Sequence, residues 1–139
     1  MGRFSNLFKH VRFDTLNEFE IELLKIQQTT NSKIIALIGI GGRFKGLPLL
    51  YATDDEKELK IYAARISEFL IHLKNLAADK SLKEYIIYFG DSIMLFKKLI
   101  DNVAFVALTR FESDVEPIRQ WIFKKEELLK TLFHEPSSK

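Results

Sequence analysis

Residues 84–110 read EYIIYFGDSIMLFKKLIDNVAFVALTR. Three runs rich in β-branched and aromatic residues are separated only by GDS and DN. Such short polar breaks reverse an extended chain tightly, although DN lacks the glycine that makes the signal strong. The stretch predicts strands over 84–90, 92–100 and 103–110, folded back on one another as an antiparallel meander. A meander this apolar has to be covered, so the rest of the chain is read for what covers it.

Upstream, IIALIGI (34–40) is a short β-branched run that reads as a strand buried on both faces. LPLLYAT (47–53) reads as its partner. Between them lies GIGGRFKG (39–46), which has the look of a phosphate cradle. A Walker loop would place Lys and Ser or Thr after Gly46, where Leu47 and Pro48 stand. A dinucleotide fingerprint from Gly39 would need glycine at Phe44. Both motifs also aim a helix N-terminus at the phosphate, whereas a strand follows here. The stretch is therefore read as a hairpin loop. Gly41, Gly42 and Gly46 supply turn conformations closed to other residues, and Arg43 and Lys45 are solvated.

Helical periodicity fills the remainder. Asp14 opens DTLNEFEIELLKIQQTT as an N-cap. Leu16, Phe19, Leu23 and Ile26 recur at helical spacing, predicting a helix over about 15–30 that ends at Asn31 and Ser32. Residues 56–78 carry a long stripe of Leu59, Tyr62, Ala63, Ile66, Leu70, Leu73 and Ala77, with Asp54 and Asp55 as candidate caps. Residues 113–133 form the last helix. Ser113 or Asp114 caps it, Pro117 lies in its first turn, and Trp121 is read as core.

The order helix, two strands, helix, three strands, helix predicts an α+β domain with a five-stranded antiparallel sheet. If the fifth strand returns beside the first, the spatial order is 2-1-5-4-3. The domain is read over 14–133, with a basic aromatic tail at 1–13 and a short tail at 134–139. At 139 residues with 47% hydrophobic content, one packed core is the expectation.

Composition narrows function mainly by exclusion. The chain has no cysteine, which removes disulfides and thiolate metal sites and favours a cytoplasmic location. The first residues lack the apolar centre of a signal peptide, and no run is long enough to span a bilayer. A net charge of +2 is too small to point to nucleic acid. Arg3, Lys9 and Arg12 carry that excess, since the other 18 cations face 19 acids. With Phe4, Leu7, Phe8 and Val11, they make the tail a basic amphipathic segment. Docking on its own domain is the expectation, and weak contact with a membrane or partner the alternative.

No catalytic constellation emerges. His10, His72 and His134 lack metal-site spacing, and Ser67, Ser81, Ser92 and Ser113 lack a nucleophile pattern. Asp54, Asp55, Glu56 and Glu58 suit a helix start without any metal. The chain is read as non-enzymatic, without cofactor.

What stands out instead is an edge. In the order 2-1-5-4-3, strands 2 and 3 are outermost. Pro48 makes strand 2 a sensible border, but YIIYF (85–89) has neither charge nor proline to guard it. Such a border invites a second copy. Ile61, Ala64 and Ile71 lie off the core stripe of the second helix and would be covered with it. The expected dimer interface is therefore Ile61, Ala64, Ile71, Tyr85, Ile86, Ile87, Tyr88 and Phe89. Arg43, Arg65 and Arg119 are the candidate partner contacts.

The meander with its Gly-Asp and Asp-Asn turns, and the hairpin IIALIGIGGRFKGLPLLYAT, resemble the roadblock/LC7 family over about 14–133. Here GGRFKG stands where that family usually has an Asp-Gly type turn. The resemblance implies dimerisation through the third strand and second helix, here 85–89 and 56–78. It further implies a non-enzymatic scaffold or adaptor that binds, and in some members regulates, a small Ras-like GTPase, as a homodimer or a heterodimer. The related longin fold, a trafficking adaptor, usually begins directly at the first strand, and the helix at 15–30 argues against it. A profilin-like layout lacks so long a central helix, and a small-ligand-binding module is the remaining alternative.

Overall fold

The computed structural model of the chain describes residues 13–76 and 83–132. Its elements are α1 (Phe13–Thr29), β1 (Ser32–Gly39), β2 (Pro48–Thr53), α2 (Glu56–Leu76), β3 (Glu84–Tyr88), β4 (Ile93–Ile100), β5 (Val103–Thr109) and α3 (Val115–Leu132). The strands form one sheet in the order β2-β1-β5-β4-β3. Every neighbouring pair is antiparallel. The α+β class and strand order expected from the sequence are both observed.

The middle of the sheet explains the rest. β5 is buried along its whole length, and β1 at every residue but Lys33. Side chains alternate between faces along a strand, so both faces of β1 and β5 need cover. Ile35, Leu37, Phe105 and Ala107 point to the side of α1 and α3, where Phe19, Leu23, Ile118, Ile122 and Leu129 meet them. Ile34, Ala36, Ala104 and Val106 point the other way, to Leu59, Ala63 and Ile66 of α2. The result is three layers with a core on each side of the sheet. On the first side Trp121 stacks on Phe19 at 5.8 Å and tilts over Phe105 at 5.9 Å, as its core reading required. That contact, with Lys125 Nζ at 2.8 Å from Glu22, holds α1 and α3 side by side.

On the second side, Tyr85 of β3 lies flat on its cross-strand neighbour Phe96, with centroids 4.7 Å apart and planes 3° apart. Phe69 of α2 meets the same ring edge-on at 5.5 Å. The Tyr85 hydroxyl is buried and finds no hydrogen-bond partner among the described residues. Burial holds its ionisation well above the ordinary tyrosine range.

The turns show why the sequence breaks where it does. Asn31, at φ 52°, ends α1 in the left-handed region that asparagine tolerates. Asp55 caps α2 by accepting the Glu58 N–H at 3.1 Å, while Asp54 instead accepts from Gln27 Nε2 at 3.0 Å. Some boundaries differ from expectation. α1 is already helical at Phe13, so Asp14 lies within it and is not its N-cap. α3 is preceded by a short 3-10 turn, Glu112–Asp114, whose N-cap is Phe111. Of the glycines expected to need a special backbone, Gly42 and Gly46 have positive φ, but Gly41 is extended at −161°. Residues 1–12, including His10 and the amphipathic tail, lie outside the described residues, as do Ala77, Ser81 and His134.

Truncating Phe105 to alanine removes the ring beneath Trp121 and leaves a cavity. It is expected to cost about 3–5 kcal/mol in urea denaturation. Tyr85→Phe should act in the opposite direction, raising stability by roughly 1 kcal/mol in the same assay, because it deletes a buried donor without deleting the stack. A loss of stability in Tyr85→Phe would show that the hydroxyl is satisfied.

Candidate interaction surface

The two borders of the sheet are unlike. β2 is outermost, yet Leu49, Leu50 and Ala52 are 2%, 1% and 7% exposed. Both α1 and α2 pack over β1 and β2, and Pro48 offers no N–H. The apolar side chains of that border are therefore covered from within. β3 is the reverse: none of Glu84–Tyr88 is buried, and Tyr88 is 59% exposed.

The backbone of β3 has a definite phase. The Lys98 N–H donates to the Lys83 carbonyl at 2.7 Å, and the Phe89 N–H to the Ser92 carbonyl at 2.8 Å. Odd-numbered residues therefore face β4. In an antiparallel ladder alternate residues turn both backbone groups the same way, so those of Glu84, Ile86 and Tyr88 face outward. Side chains alternate independently of this: Tyr85 and Ile87 lie on the α2 face, and Ile86 on the α1/α3 face.

The α2 face continues this surface. Ile61 and Ile71 are about half exposed, and Ala64 is exposed beside them. With Glu68 they fall at spacings of three and four residues, so they share one outward seam. Arg65 and His72 are exposed on the same helix. Phe69 and Leu76, neither singled out from the sequence, add exposed apolar area. Phe69 also touches Tyr85, which makes the outer side of α2 and the open border continuous.

On the other face a groove of about 280 Å³ runs between α3 and the border. Arg119 bridges it, bonding Glu84 through Nε at 3.0 Å and Glu116 through Nη1 at 3.2 Å. Those carboxylates raise the guanidinium's affinity for its proton. Lys97 reaches Glu126 at 3.5 Å. Glu126 is held below the usual carboxylate range: burial alone would raise it, but Lys130 and Lys97 outweigh burial. Phe123 projects from α3 at the same groove, 73% exposed. Three successive apolar residues on one helix, WIF (121–123), cannot all face the core, and that is the signal in the sequence for this exposure.

Of the expected apolar positions, Tyr85 and Ile87 share the α2 face with Ile61, Ala64 and Ile71, whereas Ile86 and Tyr88 lie on the α3 face; the three arginines are not brought together. Arg119 is engaged between β3 and α3, Arg65 lies on the opposite face of the sheet, and Arg43 sits in the 39–47 loop with its guanidinium 6.0 Å from the Phe44 ring centroid. The glycines of that loop make room for protein. A Cβ on Gly39 would stand 2.0 Å from the Phe44 carbonyl oxygen, and one on Gly41 would stand 2.5 Å from Asn102 Oδ1. The Ile40 N–H donates to the Asn102 carbonyl at 2.9 Å, so the loop leans on the β4–β5 turn. The loop holds a short 3-10 turn at Gly42–Phe44 and leads directly into β2, not into the α-helix that a phosphate motif requires. Among the described residues no group of His, Asp and Glu is arranged to hold a metal, and no helix is long and apolar enough to cross a membrane.

The chain matches no protein-family model and no curated protein. Its fold does match solved structures. MglB of Myxococcus xanthus superposes with a TM-score of 0.68 at 10% identity, covering 91% of this chain and 98% of that one. An MglB with a tetrameric arrangement gives 0.65 at 14% identity, covering 88% and 93%. A roadblock/LC7 domain from Streptomyces avermitilis gives 0.52 at 14% identity, covering 79% and 96%. Identities this low speak for architecture alone, and on that architecture the chain has a roadblock/LC7-like fold.

Proposed function

We propose that the chain is a non-catalytic scaffold that forms a homodimer through β3 and the outer side of α2 and, as a dimer, binds a small Ras-like GTPase in the cytoplasm. The open β3 border carries this reading. Among the described residues it leaves backbone groups and apolar side chains without partners on one side of the sheet, while the other border has its apolar side chains covered and carries Pro48. A second copy related by a two-fold axis supplies an identical border and an identical α2, so one operation covers both. The tetrameric arrangement of an MglB with this fold agrees with an assembling role.

The GTPase rests on the resemblance to roadblock proteins, and the fold supports it. The action is positional: paired sheets and paired α2 helices form a rigid composite platform against which switch segments of a GTPase are held. Arg43 and Arg65, both exposed, are the side chains through which such a platform meets an acidic partner. Arg119 contributes through its tie to Glu84, which fixes the border against α3.

Sedimentation of the wild type is expected to give a dimer at micromolar concentration, and Ile87→Lys a folded monomer by circular dichroism, because two lysines would be forced into one apolar seam. A pull-down with small GTPases in both nucleotide states is expected to retain one of them with the wild type, and less of it with Arg65→Ala or Arg43→Ala. A wild type that stays monomeric at high concentration would overturn the scaffold reading. A dimer that retains no GTPase in either state would overturn the partner.

A further inference from the structure

The unpaired backbone of β3 also limits how two copies can meet. This step rests on the homodimer reading above. A two-fold axis perpendicular to the sheet pairs the strands antiparallel and keeps α3 of both copies on one face. Hydrogen-bonded pairs must then join outward-facing residues: Glu84, Ile86 and Tyr88. Centred on Ile86, the register sets Ile86 against Ile86 and Glu84 against Tyr88, and every outward N–H and C=O of the strand finds a partner. Centred on Tyr85, it sets Tyr88 of each copy beyond the Glu84 end of the partner strand. Centred on Ile87, it sets Glu84 of each copy beyond the Tyr88 end. One register therefore pairs the strand from end to end within its own bounds.

That register has a consequence on the α3 face. Tyr88 of the second copy comes to lie directly beside Glu84 of the first, with Cα atoms about 5.5 Å apart. Glu84 is held by Arg119 and lines the groove that also contains Lys97 and Phe123. Tyr88 and Phe123 are 59% and 73% exposed in the single chain. Within its own chain Tyr88 has only a long contact, from its hydroxyl to Glu112 at 3.4 Å, among the described residues. We infer that the groove between α3 and β3 is completed by the second copy: Tyr88 of one chain closes it against Glu84, Arg119 and Phe123 of the other, in a register fixed by Ile86. The aromatic ring then lies beside a guanidinium already oriented by two carboxylates, and an exposed phenylalanine gains an apolar neighbour. The occupant of the groove is thus a side chain of the same protein, and Tyr88 is a residue that selects self from non-self at the border.

Because the chain has no cysteine, single introduced thiols report the register without background. Under mild oxidation Ile86→Cys is expected to crosslink to itself and double its mass on a non-reducing gel, since the pair falls within disulfide reach. Glu84→Cys mixed with Tyr88→Cys should give the mixed crosslink. Tyr85→Cys and Ile87→Cys should crosslink several-fold more slowly. Phe123→Ala and Tyr88→Ala are each expected to raise the dimer dissociation constant about tenfold, as loss of a buried aromatic contact does. Ile21→Ala, on the exposed side of α1, should leave it unchanged. A wild-type dimer in which Tyr85→Cys or Ile87→Cys crosslinks fastest, or in which no variant crosslinks, overturns the register while the dimer stands. Unchanged dissociation in both Phe123→Ala and Tyr88→Ala overturns the groove assignment. A monomeric wild type removes the dimer and this inference together.

Discussion

Two apolar faces on one sheet are the constraint from which the architecture follows. β1 and β5 cannot be left open on either side, so helices must lie both above and below them. Among the described residues three α-helices are available for five strands on two faces. α1 and α3 share one face, held together by the Phe19–Trp121 stack, and α2 serves the other. α1 and α2 both sit over β1 and β2, α3 sits over β4 and β5, and what remains uncovered among the described residues is the side of β3. The open border is therefore a residue of the packing problem, set by where the helices are needed most.

That remainder is chemically consistent across its parts. The backbone of β3 offers donors and acceptors, the α2 seam offers Ile61, Ala64 and Ile71, and the α3 groove offers Phe123 beside a fixed guanidinium. A hydrogen-bonding border, an apolar helix face and an aromatic groove would each make a weak contact alone. Placed side by side around one strand, they make a self-complementary surface on the proposed reading. Nothing similar collects at the 39–47 loop, where Asn102 and the Phe44 carbonyl take up the space beside Gly41 and Gly39.

Much of this was legible from residue order. Continuous apolar, β-branched runs mark the strands, and the breaks GDS and DN fall where the chain reverses. The strand order followed from a single choice, β5 beside β1, which the continuous hydrophobicity of both strands favours. The interface candidates on α2 could be found because a helix stripe leaves its off-stripe isoleucines conspicuous. What could not be read is equally physical. Arg119 looks like any surface cation until Glu84, 35 residues earlier, is seen beside it. Gly41 looks like a turn glycine, yet its constraint is a side chain from a distant turn. The exposure of Phe123 depends on how far α3 stands from the border, a tertiary distance with no sequence signature. Helix starts also shifted, because Asp14 and Asp114 are good caps in isolation but the chain was already turning before them.

The covered side chains of the β2 border have one more implication. A flat array that can add strands at both ends has no natural stopping point, and proteins with two adhesive borders drift toward fibres. Here Leu49, Leu50 and Ala52 are already shut beneath two helices. On the proposed reading, an assembly made at β3 ends in strands that offer a newcomer little apolar side-chain surface and lack one donor at Pro48, a restraint on growth set by where α1 and α2 happen to lie.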